Sequence, residues 1–176
     1  LKVGRFEAGK RAAASHTGAL AGQEAAFDAA FQKAGVLRAN TSEEMFYWAR
    51  ALAWCPLPKG RRIAILTNAG GPGVTASDAL ELNHLKLADL SPETDAALKT
   101  ILPAAASTHN PVDMLASAPP EHYAQCLQAL LADEGVDGVI VISPPPPASS
   151  AGAVTKAILP IIQMSDKPVI LTLMGD

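Results

Sequence analysis

Apolar residues recur along this chain with two different spacings. In ALAGQEAAFDAAFQKA, from Ala19 to Ala34, the residues Leu20, Phe27, Phe31 and Ala34 fall at helical spacing, and Gly35 follows as a stop. Thr41, Ser42, Glu43 and Glu44 read as a helix N-terminus, hydroxyls ahead of carboxylates, for a helix running to about Trp54. Residues 1–17 show no clear period and read as the end of a strand followed by a loop. Val36 to Arg38 reads as a short edge strand. CPLPKG, from Cys55 to Gly60, is a linker by composition, because Pro and Gly sustain neither a helix nor a strand interior. Beyond it the pattern changes. RRIAILTN from Arg61, then Leu85 to Leu90, Gly138 to Ser143 and Pro168 to Leu173 are short apolar runs. Helical stretches lie between them, through about Leu82, from Ser91 to near Pro103, from Glu121 to Leu131 and from Ala153 to Met164. Strands alternating with helices predict right-handed βαβ units and a doubly wound parallel sheet over residues 61–176. That sheet reads as stopping one strand or helix short.

Composition narrows the partners. The 176 residues are 49% hydrophobic but only 5% aromatic, so the core is expected to be aliphatic and layered. A net charge of −3 without a basic stripe argues against nucleic acid. No apolar run approaches the roughly 20 residues of a membrane span, and no signal peptide is visible. A cytoplasmic location is the expectation. The two cysteines, Cys55 and Cys126, are far apart, which excludes a disulfide scaffold and a cysteine zinc site as leading readings. Acidic residues form no HExxH or DxD pair, so no metal site is expected within the chain. The chain opens at Leu1 and ends directly after an apolar run, which reads as a segment of a longer protein. A cut domain exposes apolar surface, through which homo-oligomers can form.

Three loops carry candidate chemistry. In the first, Ser15, His16, Thr17 and Gly18 precede the helix read from Ala19. Ser15 or Thr17 is placed to cap that helix, whose free N–H groups and partial positive charge favour phosphate. An imidazole there has one ring nitrogen free to attack phosphorus once the other is fixed by a partner. On local chemistry alone, a solvent-facing histidine in a capping loop explains the same residues. The second loop, TNAGGPGVTASD from Thr67 to Asp78, follows a strand and opens a helix. Gly70, Gly71 and Gly73 let backbone amides point inward, with Val74 and Thr75 in the first turns. It is not a Walker A loop. Gly71 and Gly73 give GxG with Ala76 at the third position, a permitted dinucleotide variant, and a tight βα turn without ligand is the plain alternative. The third is HNPVD, where Asn110 and Asp113 orient a ligand, close the neighbouring loop or simply form an Asx-turn before Pro111. His84 and His122 read as surface or packing residues, and Cys126 as core.

Three stretches taken together, GRFEAGKRAAASHTGALAG, LPKGRRIAILTNAGGPGVTASDAL and LPAAASTHNPVDML, resemble the NDP-forming acyl-CoA synthetases. That superfamily includes ADP-forming acetate–CoA ligases and succinyl-CoA synthetase. The resemblance implies an acid–thiol ligase that interconverts acyl-CoA, ADP and phosphate with acid, CoA and ATP through an acyl phosphate and a phosphohistidine. By motif, His16 matches the phosphohistidine. Gly70 to Ser77 match one of two helices whose N-termini hold the phosphoryl group, and Asn110 and Asp113 match a motif beside it. The implied organisation is the C-terminal part of one flavodoxin-like domain over residues 1–54, a linker at 55–60 and most of a flavodoxin-like CoA-ligase domain over 61–176. A Rossmann-type CoA-binding domain, an ATP-grasp domain or subunit and a glutamate orienting the histidine are implied outside the chain. CoA, ATP or ADP and Mg²⁺ would be used by the whole protein, with none bound within this segment, which alone is expected to show no turnover. The alternative is a CoA-sensing regulatory module of a protein acetyltransferase that has lost catalysis.

Overall fold

A computed structural model describes residues 6–17, 24–145 and 150–174, with the side chains of residues 13, 16 and 17 outside the described set. The chain divides into two compact units, Leu1–Ala49 and Arg50–Asp176. The first contains α1 (Glu7–Thr17), α2 (Glu24–Ala34) and the start of α3 (Ser42–Trp54).

Helix α1 overturns the loop expected before Thr17. It has no apolar stripe, so a search for period misses it. Its Ala, Lys and Arg content is what favours helix, since these residues lose little on entering it. Lys10 pairs with Glu7 at 2.9 Å, and the Ser15 hydroxyl donates to the Ala12 carbonyl at 2.7 Å. Ser15 is therefore inside α1 rather than a cap of the next helix. The expected start of α2 at Ala19 lies outside the described residues. Its end is a Schellman turn: Gly35 takes φ +67°, and the Val36 N–H donates back to the Phe31 carbonyl at 2.9 Å. The edge strand expected at Val36 to Arg38 is absent for the same reason. Val36 is committed to closing the helix, and Arg38 turns back to pair with Glu24 and Asp28. At α3, Thr41 Oγ1 accepts from the Glu44 N–H at 3.0 Å, while Glu44 Oε2 accepts from the Asn40 N–H at 2.7 Å.

The second unit contains β1 (Arg62–Thr67), α4 (Gly70–Leu82), β2 (Lys86–Leu87), α5 (Pro92–Ile101), β3 (Val112–Asp113), α6 (Pro120–Ala132), β4 (Gly138–Ser143), α7 (Ala151–Met164) and β5 (Val169–Leu173). All pairs are parallel, in the order β2-β1-β4-β5. β4 runs along one edge of β1, with Ile63 opposite Gly138 and Thr67 opposite Ile142. The other edge is shared, by β2 at Arg62 and Ile63 and by β3 at Leu66 and Thr67. The sheet is covered on both faces, as its continuous apolar strands require. Ile63, Ile65 and Ile142 pack against Leu80 of α4. Ala64, Leu66, Val139 and Val141 share a larger core with Leu98 of α5, Tyr123, Leu127 and Leu130 of α6, and Val154 and Ile158 of α7. This is the expected doubly wound, flavodoxin-like arrangement.

Strand β2 is shorter than the six residues from Leu85 to Leu90 read from sequence. The side chain of Asn110 is the cause. Its Oδ1 accepts from the Ile65 N–H at 2.9 Å, and its Nδ2 donates to the carbonyls of Ile63 at 2.9 Å and Ala88 at 3.0 Å. One amide thus replaces strand backbone along β1 between the end of β2 and the start of β3. At the first residue of β1, Asp137 accepts from the Arg62 N–H at 2.8 Å, from its Nε at 2.9 Å and from its Nη2 at 2.8 Å. These bonds from Arg62, side chain first and then backbone, pull the Asp137 carboxyl down to about 2.

Candidate functional site

The chain order reverses beside β1: α4 leads to β2 on one edge, and β4 lies on the other. The crevice beyond the carboxyl ends of β1 and β4 is where open α/β sheets receive ligands. Helix α4 begins there. Its N-cap, Ala69, is extended and has no side chain able to cap. Of the N–H groups left over at that end, Ala69's is taken by Thr67 Oγ1 at 3.2 Å and Pro72 has none. Those of Gly70 and Gly71 find no partner among the described residues. Two open donors at the positive end of a 13-residue helix are a ready seat for an oxyanion.

Two of the three glycines allow close approach. A Cβ on Gly73 would meet Thr67 Cγ2 at 3.3 Å and the Pro111 ring at 3.4 Å. A Cβ on Gly70 would come within 3.3 Å of Asp113 Oδ2, whereas Gly71 faces open space. Asp113 is thus brought to the mouth of α4, its other oxygen accepting from the Leu115 N–H at 2.9 Å. Val74 is 63% exposed, one turn in. Thr75 does not face the mouth with its hydroxyl, which donates back to the Gly71 carbonyl at 3.2 Å. Asn110 holds backbone rather than open space, with three of its hydrogen bonds directed at β1 and the residue after β2.

Sequence reasoning passed over three buried polar residues here. Tyr123 of α6 is fully buried, and its hydroxyl lies 3.2 Å from Ser143 Oγ at the end of β4. Burial pushes the Tyr123 hydroxyl pKa up, the Ser143 bond opposes this, and the Asp113 charge adds to the rise. Asn68, 2% exposed, sends its Nδ2 to the Pro144 carbonyl at 3.3 Å, while its Oδ1 has no partner among the described residues. The signal for Tyr123 was its position, in register with Cys126, Leu127 and Leu130 on an otherwise aliphatic face.

His16 falls in the last turn of α1, with its side chain, that of Thr17, and Gly18 outside the described residues. Ser15 is exposed in the first unit. His84 is an exposed turn residue at φ +57°, and His109 is exposed in a loop tied to α5 by the Thr108 hydroxyl, which donates to Asp95 at 2.6 Å. Cys126 is fully buried, and burial raises its thiol to about 12. Among the described residues, no group of three His, Cys, Asp or Glu could hold a metal ion, and no helix is long and apolar enough to cross a membrane.

Residues 1–52 match a succinyl-CoA ligase like flavodoxin domain, and residues 63–176 match a Ligase-CoA domain. The chain is 52% identical, over 81% of its length, to 31% of the alpha subunit of an ADP-forming acetate–CoA ligase II from Pyrococcus furiosus. It is 44% identical, again over 81% of its length, to 20% of an ADP-forming acetate–CoA ligase I from Archaeoglobus fulgidus. The whole chain superposes on 38% of a dinucleotide forming acetyl-coenzyme A synthetase 1 from Ca. Korarchaeum cryptofilum, solved in complex with phosphate and ADP, with a TM-score of 0.89 and 36% identity. The chain thus spans a third or less of these two relatives, and they are of the kind that the three sequence stretches resemble. With its second unit matched almost throughout, the chain belongs to the Ligase-CoA domain family.

Proposed function

We propose that this chain carries the phosphoryl-handling part of an NDP-forming acyl-CoA synthetase. The observation that supports this best is the uncapped, glycine-rich N-terminus of α4 at the carboxyl edge of a Ligase-CoA domain. In this reading, a phosphate oxygen attacks the thioester carbonyl of an acyl-CoA, and the CoA thiolate leaves. A ring nitrogen of His16 then attacks phosphorus of the acyl phosphate, and the carboxylate leaves. A terminal oxygen of ADP finally takes the phosphoryl group as the N–P bond breaks. The Gly70 and Gly71 N–H groups offset the charge of the travelling phosphoryl group, a contribution of about 0.3–2 kcal/mol from the helix end. Ser15, Thr17 and Gly18 accompany His16, and Gly73 lets α4 approach β1 closely.

The reading places a flavodoxin-like domain tail at 1–54, a linker at 55–60 and the ligase domain at 61–176. It assigns CoA to a Rossmann-type partner domain, and nucleotide with Mg²⁺ to an ATP-grasp partner. It also implies a cytoplasmic enzyme. The relatives named above are ligases, which favours this reading over a regulatory CoA-sensing module. The test is to incubate the full-length protein with ATP and Mg²⁺ and map acid-labile phosphate by mass spectrometry. Phosphate on His16, absent in His16→Ala and discharged by acid plus CoA, is the expected result. A folded protein that binds CoA but is never phosphorylated there overturns it.

A further inference from the structure

Residues 55–60 read as a linker by composition, yet the segment is held to the second unit along its length. Cys55 continues the last turn of α3, its N–H donating to the Ala51 carbonyl at 2.9 Å. Its thiol lies 3.9 Å from the carbonyl of Val169, the first residue of β5. Pro56 and Pro58 fix their own φ, which leaves the segment few conformations to lose. The Lys59 ammonium pairs at 3.1 Å with Asp166, ahead of β5. Gly60 sits against Asp137, the residue before β4, where a Cβ would overlap Oδ2 and reach Oδ1 at 3.0 Å. That carboxylate is not free to step aside, because the N–H, Nε and Nη2 of Arg62 all donate to it. Arg62 itself opens β1. The strands are parallel and lie in the order β1-β4-β5, so the segment passes the amino ends of β5, β4 and β1 in turn. The ligand crevice lies at the other end of the same strands.

We infer that residues 55–60 are a strap across the amino ends of β5, β4 and β1, which passes movement of the end of α3 into the sheet instead of absorbing it as a swivel. The holds differ in strength. Lys59 and Asp166 are mostly exposed, with 78% and 76% of their side-chain surface in solvent, so their pair holds weakly. The fit of Gly60 against a carboxylate pinned by Arg62 holds more, because any side chain there has to displace Asp137 or the segment itself. Among the described residues β5 pairs only with β4, so the strap is a second anchor for this strand. The nearest link of the β4–β5 ladder is the Val139 N–H, which donates to the Pro168 carbonyl at 3.0 Å. A pull on the strap is therefore felt there before it reaches the far edge of β1. The inference rests on contacts within the second unit and stands apart from the proposed function. For that function its consequence is that residues 55–60 are not the pivot on which a phosphorylated segment turns.

The experiment is NMR relaxation and amide exchange on the 176-residue chain. Backbone order parameters of Leu57, Lys59 and Gly60 are expected at about 0.85, as in β4, and values below about 0.6 show a flexible linker and overturn the inference. Transmission is read from two amides, that of Val139 beside the strap and that of Ala88, which donates to the Ile63 carbonyl at 2.9 Å on the far edge of β1. Gly60→Ala forces the strap off Asp137 and should speed exchange at Val139 about tenfold relative to Ala88. Lys59→Glu sets a carboxylate against Asp166 on the exposed surface, and should speed Val139 relative to Ala88 by about twofold. It serves as the test should Gly60→Ala fail to fold. An ordered segment whose loosening leaves Val139 unchanged, or speeds Val139 and Ala88 equally, transmits nothing to the β4–β5 pair and also overturns the inference.

Discussion

Replacing Asn110 with Ala should unfasten β1 on the edge it shares with β2 and β3. The variant loses three hydrogen bonds, one from the Ile65 N–H and two to the carbonyls of Ile63 and Ala88. A net contribution of about 1 kcal/mol each gives about 3 kcal/mol. Ile65 is fully buried and Ile63 nearly so, so water does not readily take over, and the unpaired groups raise the loss to about 3–5 kcal/mol. With an m-value of about 2 kcal/mol per molar urea, the unfolding midpoint should fall by about 1.5–2.5 M. Amide exchange supplies the local readout, because the Ile65 N–H should lose protection well before those of β4. Asn110→Asp gives a signed control. A carboxylate there faces two carbonyl oxygens, so its pKa rises on folding. The stability that remains is present while it is protonated and is lost as pH rises through the raised value. A loss below about 1 kcal/mol for Asn110→Ala would refute the reasoning. So would unchanged stability with a lost phosphate response at Gly70 and Gly71, since that would make Asn110 a ligand contact instead.

Asp137 sets an acid limit. Its carboxyl is held at about 2 against an ordinary 3.8 by bonds from Arg62, so its contribution is complete above the ordinary value and disappears as pH falls from there towards about 2. Asp137→Asn should flatten that part of a stability–pH profile taken by urea unfolding. Two glycines should respond oppositely to Ala in the same assay. At Gly138 the new Cβ would meet Pro168 Cγ at 3.1 Å and Ile63 Cδ1 at 3.3 Å, with a loss of about 1–3 kcal/mol expected. At Gly71 it meets nothing within 4 Å, and stability should be unchanged or rise by up to about 1 kcal/mol. Cys126, fully buried and with its thiol raised to about 12, should resist alkylation in native buffer and react once urea unfolds the chain, as mass spectrometry of the alkylated protein would show.

The elements that sequence reading found are those whose signal is local. β1 and β4 are unbroken apolar runs, α5 carries Ser91 and Pro92 at its start, and α6 repeats its apolar residues at helical spacing. Where the reading failed, the deciding signal was something other than an apolar pattern. Helix α1 rests on propensity rather than on an apolar stripe. Val36 and Arg38 spell a strand by composition, but the helix-closing bond from Val36 to Phe31 and the ion pairs of Arg38 with Glu24 and Asp28 turn the segment back onto α2. β2 stops early because an amide 22 positions beyond Ala88 occupies the edge, which no window around β2 contains.

The site divides along the same line. Gly70, Gly71 and Gly73 were legible because a strand, a glycine cluster and a helix in succession dictate an open helix end. Asp113 was legible beside them in the HNPVD stretch, but the rest of what surrounds that end was not, because it is brought together from four segments. Thr67 and Asn68 come from β1 and the residue after it, Asp113 from β3, Tyr123 from α6, and Ser143 with Pro144 from the end of β4. Tyr123, Ser143 and Pro144 are unremarkable in their own stretches of sequence. A reading from residues outward therefore finds the open N–H groups of α4, which backbone geometry supplies, together with Asp113, and misses the buried Tyr123–Ser143 pair, which only the folded sheet brings together.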